Sequence, residues 1–289
     1  GDEAAGQGPD LVVGQTHTYL DGPATYHIQV TAVDEDGSYL WTGGTGDAGT
    51  LDPDFATGGI ATTSLSDWPW ATAMALQADG KAIVVGSDSN GSILLARFMP
   101  DGSADSSFGT AGVLAVDLIP GSYEYIYDIA IQPDGDIVLA GEDGNGDMLV
   151  ARLLQDGSLD PTFGTGGIAL IDMNGGWDGA QRVMVDGDGK VVVAGYVYDN
   201  VTYAYDFAVA RLTSLGVRDN SFGINGLATA DVSVGSYDYE WLADALIQSD
   251  GRIVLVGYGY GVDDTYDLAL ARFDTSGNLD TNFGGTGVV

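Results

Sequence analysis

Residues 132–167 read QPDGDIVLAGEDGNGDMLVARLLQDGSLDPTFGTGG. Two apolar runs, IVLAG and MLVAR, stand between turn-forming Asp-Gly segments, and the stretch closes on Phe163 among glycines. Short, continuously apolar runs bounded by turn residues read as strands buried on both faces. The same landmarks recur in order along the chain. The Phe-centred element appears at Phe55, Phe108, Phe163, Phe222 and Phe283, with spacings of 53, 55, 59 and 61. An Asp-Gly turn at Gly80, Gly135, Gly189 or Gly251 leads into an apolar run closed by Gly86, Gly141, Gly195 or Gly257. An Ala-Arg pair follows at Arg97, Arg152, Arg211 and Arg272. A first strand precedes each Asp-Gly turn and a fourth follows the Phe-Gly element. Four strands per repeat predict an all-β fold, a β-propeller of four-stranded blades. Four repeat units plus an irregular N-terminal element make four or five blades. The division expected is an N-terminal β segment over 1–48 and the propeller over 49–289.

Spacing separates the connections into two kinds. The turn glycine lies 6 residues before the closing glycine in all four copies, and the Arg lies 11 before the Phe in all four. The closing glycine lies 10, 10, 15 and 14 residues before the Ala of Ala-Arg, and each Phe lies 24, 26, 25 and 28 before the next Asp-Gly. In an up-and-down blade these two classes emerge on opposite faces. One face follows a fixed template, and the other accepts insertions, which is where binding usually resides on a rigid scaffold.

Composition narrows the function classes. The 289 residues carry 42 acidic and 9 basic side chains, a net charge of −33, with 45% apolar residues, 45 glycines and no cysteine. Such a charge repels nucleic-acid phosphates and anionic membrane surfaces, while the apolar fraction belongs to a folded chain rather than a disordered one. Without cysteine there is no thiol catalysis, disulfide or zinc–thiolate site. No apolar run is long enough for a membrane-spanning helix. No N-terminal leader pattern is present, and a chain opening on Gly1 reads as a mature or excised piece.

Four of the nine basic residues occupy one strand position, which assigns Arg97, Arg152, Arg211 and Arg272 to structural ion pairs. A guanidinium in a buried strand needs a carboxylate. The candidates are Asp105, Asp160, Asp219 and Asp280, three residues before each Phe, or Asp147, Asp206 and Asp267, four before each Ala of Ala-Arg. On the variable face, aromatics interleave with acids: Trp68, Trp70, Tyr123, Tyr125, Trp177, Tyr237, Tyr239 and Trp241. Either they form a ligand or partner face for glycans, basic protein patches or a neighbouring subunit, or they pack over the blade tops. The acidic strand 2–3 loops are candidate calcium sites. Asp143, Asn145 and Asp147 match the first half of a calcium loop, but Met148 stands where a glycine belongs and no Glu closes it. Asp263, Asp264 and Asp267 form a second candidate. His17 and His27 are the only histidines. No nucleophile elbow, phosphate loop or HExxH occurs, so no enzyme activity is expected.

LDPTFGTGG (159–167), QPDGDIVLAG (132–141) and DFAVARL (206–212) resemble the delta-sixty repeat family over residues 49–289. The resemblance implies secreted or surface-exposed bacterial proteins, often multi-domain, with a propeller and no assigned catalysis. Departures are Ser92 in place of the recurring Asp, and SLGVRDN (214–220), where the Asp-Gly-Ser turn has lost its Asp. HTYLDGPATYHIQVTAVDEDG (17–37) resembles the end of a polycystic-kidney-disease-type (PKD) immunoglobulin-like domain. Alternatively, TYHIQVTAV and SYLWTGG are strands 1 and 2 of an irregular fifth blade. The terminal strand is expected to be only GVV (287–289), leaving an edge open to strand addition by another subunit. The expected function is therefore a non-enzymatic structural or adhesive propeller outside the cell, assembling with its own kind, with calcium as a possible ion. The alternative is a glycan- or protein-binding propeller using the aromatic face.

Overall fold

Continuously apolar strands are explained by where alternate residues go. The computed structural model describes residues 12–16, 27–31, 51, 54–63, 70–88, 91–173, 175–200, 203–233, 239–261 and 265–289. Of five antiparallel sheets among the described residues, four form blades, each in chain order without crossovers. Blade one contains β3 (Trp70–Leu76), β4 (Ala82–Ser87), β5 (Ile93–Phe98) and β6 (Val113–Val116). Blade two contains β7 (Tyr125–Ile131), β8 (Ile137–Glu142), β9 (Met148–Leu153) and β10 (Ile168–Ile171). Blade three contains β11 (Asp178–Val185), β12 (Val191–Asp199), β13 (Ala204–Leu212) and β14 (Leu227–Ala230). Blade four contains β15 (Trp241–Ile247), β16 (Ile253–Tyr260) and β17 (Tyr266–Phe273), and residues 287–289 supply its fourth strand by pairing Leu270 with Val289 and Ala271 with Val288.

Each middle blade is shared between two cores. Ile137, Leu139, Leu149 and Ala151 face blade one, and Val138, Ala140, Met148 and Val150 face blade three. Blade three divides the same way, with Val191 and Val193 toward blade two and Val192 and Ala194 toward blade four. A strand with apolar neighbours on both sides has no polar face to alternate with. The first strands of successive blades pack on one another, β3 on β7, β7 on β11 and β11 on β15.

Every first strand carries a β-bulge at the same place, between Ala71 and Ala73, Ile126 and Asp128, Ala180 and Arg182, and Leu242 and Asp244. The bulge accounts for the closing glycine. It drives the carbonyls of Trp70, Tyr125, Gly179 and Trp241 onto Gly86, Gly141, Gly195 and Gly257, where a Cβ would overlap the oxygen. A bulge that bends a strand needs a partner that yields space, and only glycine does so.

The chain divides into two compact units, residues 1–62 with 99–103, and residues 63–98 with 104–289. In the first unit the turn at Met99–Ser103 meets the Phe55 element through an Ala56 N–H to Asp101 carbonyl bond of 2.6 Å. There, β1 (Val12–Thr16) pairs antiparallel with β2 (His27–Thr31). The strand read from TYHIQVTAV thus has residues 12–16 as partner. Residues 38–44, the other strand of the irregular-blade reading, and the rest of the PKD-like stretch lie outside the described residues. Among the described residues no helix is long and apolar enough to cross a membrane.

Candidate functional site

The fixed-template face is built on the repeated arginine. Its Nε donates to Asp105, Asp160, Asp219 or Asp280 at 2.8, 2.8, 2.9 and 3.0 Å. The guanidinium lies over Phe108, Phe163, Phe222 or Phe283, 4.3, 4.8, 4.6 and 4.6 Å from the ring centre. Three of the four reach across a blade boundary. Arg97 Nη1 donates to the Gln155 carbonyl (2.7 Å), Arg152 Nη1 to Ser214 (2.6 Å) and Arg211 Nη1 to Thr275 (2.8 Å). Each acceptor stands two residues before a positive-φ glycine, Gly157, Gly216 or Gly277, whose missing Cβ lets the turn lie on the preceding blade's Phe element. In two of these junctions the next carbonyl accepts a second bond, from Gly164 N–H to Leu215 (2.8 Å) and from Gly223 N–H to Ser276 (2.6 Å). The arginine partners are thus the acids three residues before Phe. Asp147, Asp206 and Asp267 are not.

These aspartates are held ionised. Asp105 is pulled down to about 2, foremost by the Ser107 hydroxyl, then by the Ser107 N–H and Arg97, against the opposing effect of burial. Burial pushes Asp219 up, but hydrogen bonds from Lys190 and Ser221 and the charge of Arg211 outweigh it. Lys81, Lys190 and Arg252, each just after an Asp-Gly turn, add a second cation to Asp105, Asp219 and Asp280 at 3.5, 2.8 and 2.9 Å. In blade two that position is Asp136, and Gln132 contacts Arg152 instead at 3.4 Å.

The variable face carries a cleft of about 480 Å³. Its walls are the blade-to-blade loop at Tyr123 and Tyr125, the strand 2–3 loop at Glu142 and Asp143, and Trp177 at the entry to blade three. Tyr123, Tyr125 and Trp177 are 61%, 43% and 55% exposed, with Tyr123 packed on Gly91 and Trp177 on Gly146. Glu142 is buried and takes one phenol on each oxygen, Tyr127 at 2.9 Å and Tyr196 at 2.8 Å. Burial, followed by the Glu142 charge, pushes both phenols above the usual tyrosine range. Each Glu142 oxygen thus accepts one phenol O–H and keeps lone-pair capacity for a further donor.

Trp70 and Trp241, both exposed, open the first strands of blades one and four. Trp241 stacks on Tyr196 (5.7 Å, 23°), and Tyr205 packs edge-on against Tyr196 (5.6 Å) and Tyr239 (5.0 Å). The structure therefore splits the aromatic set. Tyr123, Tyr125 and Trp177 line the cleft, while Tyr239 and Trp241 belong to an aromatic cluster on blades three and four. Trp68 and Tyr237 lie outside the described residues.

The calcium loop read at 143–147 does not converge. Asp143 Oδ1 accepts the N–H groups of Asn145 and Asp147, both at 2.9 Å, and its Oδ2 accepts Asn145 Nδ2 at 3.1 Å, so its carboxylate closes its own turn. The Asp147 carboxylate instead approaches Asp172 and Asp178. Asp267 is exposed on β17 opposite Gly259, and Asp263 and Asp264 lie outside the described residues.

Three of the acids that interleave with the aromatics, Glu124, Asp178 and Glu240, are not on the open face but buried at the entry to successive blades, exposed by 1%, 0% and 0%. Glu240 accepts N–H groups of Phe207 (3.0 Å), Val232 and Ser233 (2.6 Å), yet burial pushes it up to about 8. The available signal was an acid recurring shortly before each first strand.

Four segments, residues 77–108, 132–163, 187–222 and 248–283, match the model of the family described as "Domain of unknown function (DUF5122) beta-propeller", one per blade. The repeats are thus of propeller type. No curated protein matches the chain. Among solved structures, a protein of unknown function from Dyadobacter fermentans is 11% identical with a TM-score of 0.41, covering 69% of this chain and 51% of that one, so the chain spans about half that protein's length. A thermostable family-43 glycoside hydrolase is 12% identical with a TM-score of 0.41, covering 74% and 72%. An endo-arabinase from Bacteroides thetaiotaomicron is 10% identical with a TM-score of 0.40, covering 72% and 75%.

Proposed function

We propose that this propeller is a non-enzymatic structural or adhesive module, working outside the cell or at its surface and assembling with further copies of itself through its fourth blade. The far face of that blade carries the reading. Ala269, Ala271 and Phe273 point into the core shared with blade three, which turns Leu268 and Arg272 the other way. Leu246 and Leu268 are 53% and 74% exposed. The Arg272 side chain is 20% exposed, against 7%, 9% and 10% for its counterparts. Phe283 is half-buried where Phe108, Phe163 and Phe222 are fully buried. The equivalent face of each other blade is sealed by the blade that follows. A neighbouring copy covering this face would bury the apolar area of Leu246 and Leu268. The likeness to delta-sixty repeat proteins and the net charge of −33 support an extracellular setting.

Light scattering over a concentration series tests the assembly. Oligomers that Leu268→Asp dissolves are expected, and a monodisperse monomer at every concentration overturns the reading. The cleft favours a second reading, a glycan-binding propeller, because three partly exposed aromatic side chains stand beside carboxylates in one concavity. Glycan-array binding lost on Trp177→Ala supports it, and an array without signal removes it.

A further inference from the structure

Three carboxylates from three different segments meet at the junction of blades two and three. Asp147 stands just before β9, Asp172 just after β10, and Asp178 opens β11. One oxygen of each lies within 4.8 Å of the others. Calcium holds oxygen ligands at 2.3–2.6 Å, so two ligands of one ion stand at most about 5 Å apart. Asp178 is the informative member. Its side chain is fully buried, and its Oδ2 accepts the Met173 N–H at 2.7 Å. Its Oδ1, also buried, accepts from no donor among the described residues. The Tyr198 N–H lies nearby but is committed to the Trp177 carbonyl at 2.9 Å. A buried carboxylate oxygen with no donor is costly unless a cation meets it.

The surroundings leave that role open. Arg218 is the positive charge that bears on Asp147, yet its Nη2 donates to the Asp172 backbone carbonyl at 2.6 Å rather than to a carboxylate. Asp143 adds further negative charge beside Asp147. Asp147 is partly buried and Asp172 exposed, so the group opens to solvent on one side, where water completes an oxygen coordination shell. The analogous trio Asp206, Asp231 and Glu240 at the next junction differs, because both Glu240 oxygens accept backbone N–H groups.

We infer that Asp147, Asp172 and Asp178 form a calcium site that ties blade two to blade three. The site is independent of the assembly proposed above, and its test does not depend on oligomeric state. Trp177, adjacent to Asp178, is a built-in antenna for terbium luminescence. Terbium titration of the metal-free full chain, with displacement by calcium, is compared for the wild type, Asp178→Asn, Asp172→Asn and Asp143→Asn. Asp172→Asn changes an exposed side chain and serves if Asp178→Asn does not fold. The expected result is sensitised emission displaced by calcium in the wild type and in Asp143→Asn, with affinity lowered roughly tenfold or more in the other two. Calcium also raises the melting temperature of the wild type but not of Asp172→Asn. Absent emission in the wild type, unchanged affinity in Asp172→Asn, or loss confined to Asp143→Asn overturns the site. Displacement by magnesium as readily as by calcium overturns its assignment to calcium.

Discussion

A single missing methyl group decides the inner edge of every blade. Gly141 lies where the bulge at Ile126 presses the Tyr125 carbonyl onto the neighbouring strand, and its φ is not in the left-handed region, so the demand is for space alone. Gly141→Ala forces the two strands apart. Overpacking of this kind costs about 1–3 kcal/mol or more. The control is Gly187→Ala, where a Cβ meets nothing within 4 Å. Urea unfolding should place the first variant well below the wild type and the second within about 0.5 kcal/mol of it. The sequence displayed these closing glycines at constant spacing from the turn, but not their reason, because the bulged partner residues Thr72, Tyr127, Gln181 and Ala243 share no chemistry.

At the scale of the element, the unit that repeats is an arginine, an aspartate and a phenylalanine holding the turn of the next blade. Removing one partner of a buried ion pair leaves a stranded charge, at about 3–5 kcal/mol. Arg152→Met strands Asp160 and also frees the Ser214 carbonyl, so a loss in that range is expected by urea unfolding. Arg272→Met should cost less, because its side chain is twice as exposed as that of Arg211 and Arg252 still reaches Asp280. Equal losses for the two variants would show that the cross-blade carbonyl contributes nothing. The Arg-to-Phe spacing made half of this device legible. The other half is a backbone carbonyl, which any residue supplies and no motif records. The same limit hid the convergence of Asp147 with Asp172 and Asp178, which are brought together by three segments rather than by one loop.

For the whole molecule, acids tuned in opposite directions set the pH response. Glu240, buried and raised to about 8, is protonated in the folded chain while still ionised in the unfolded one. The folded state therefore binds more protons between the ordinary carboxylate value and pH 8, and stability rises as the pH falls through that window. The clamp aspartates act oppositely. Asp105, held near 2, contributes stability above its unfolded value near 3.8 that is lost as the pH falls toward 2. Thermal melts in chelator-treated buffer should peak near pH 4–5, and Glu240→Gln should flatten the rise between pH 8 and 5. A melting temperature that climbs steadily from pH 5 to 8 would contradict this balance. The fold at this scale was legible because strand count, turn placement and two of the connection lengths repeat in every copy. The pairing of residues 27–31 with 12–16 was not, since it belongs to a segment outside the repeat.

Because each clamp grips main-chain oxygens, a blade does not need to know the sequence of the blade it holds. The junction of blades two and three shows the tolerance. Ser214-Leu215-Gly216 has lost the aspartate found in the turns at 101 and 156, yet Arg152 and Gly164 bind its carbonyls as the others are bound. A coupling blind to side chains lets units be duplicated, dropped or reshuffled by recombination without compensating changes next door, so lineages can diversify the rim loops of each unit independently.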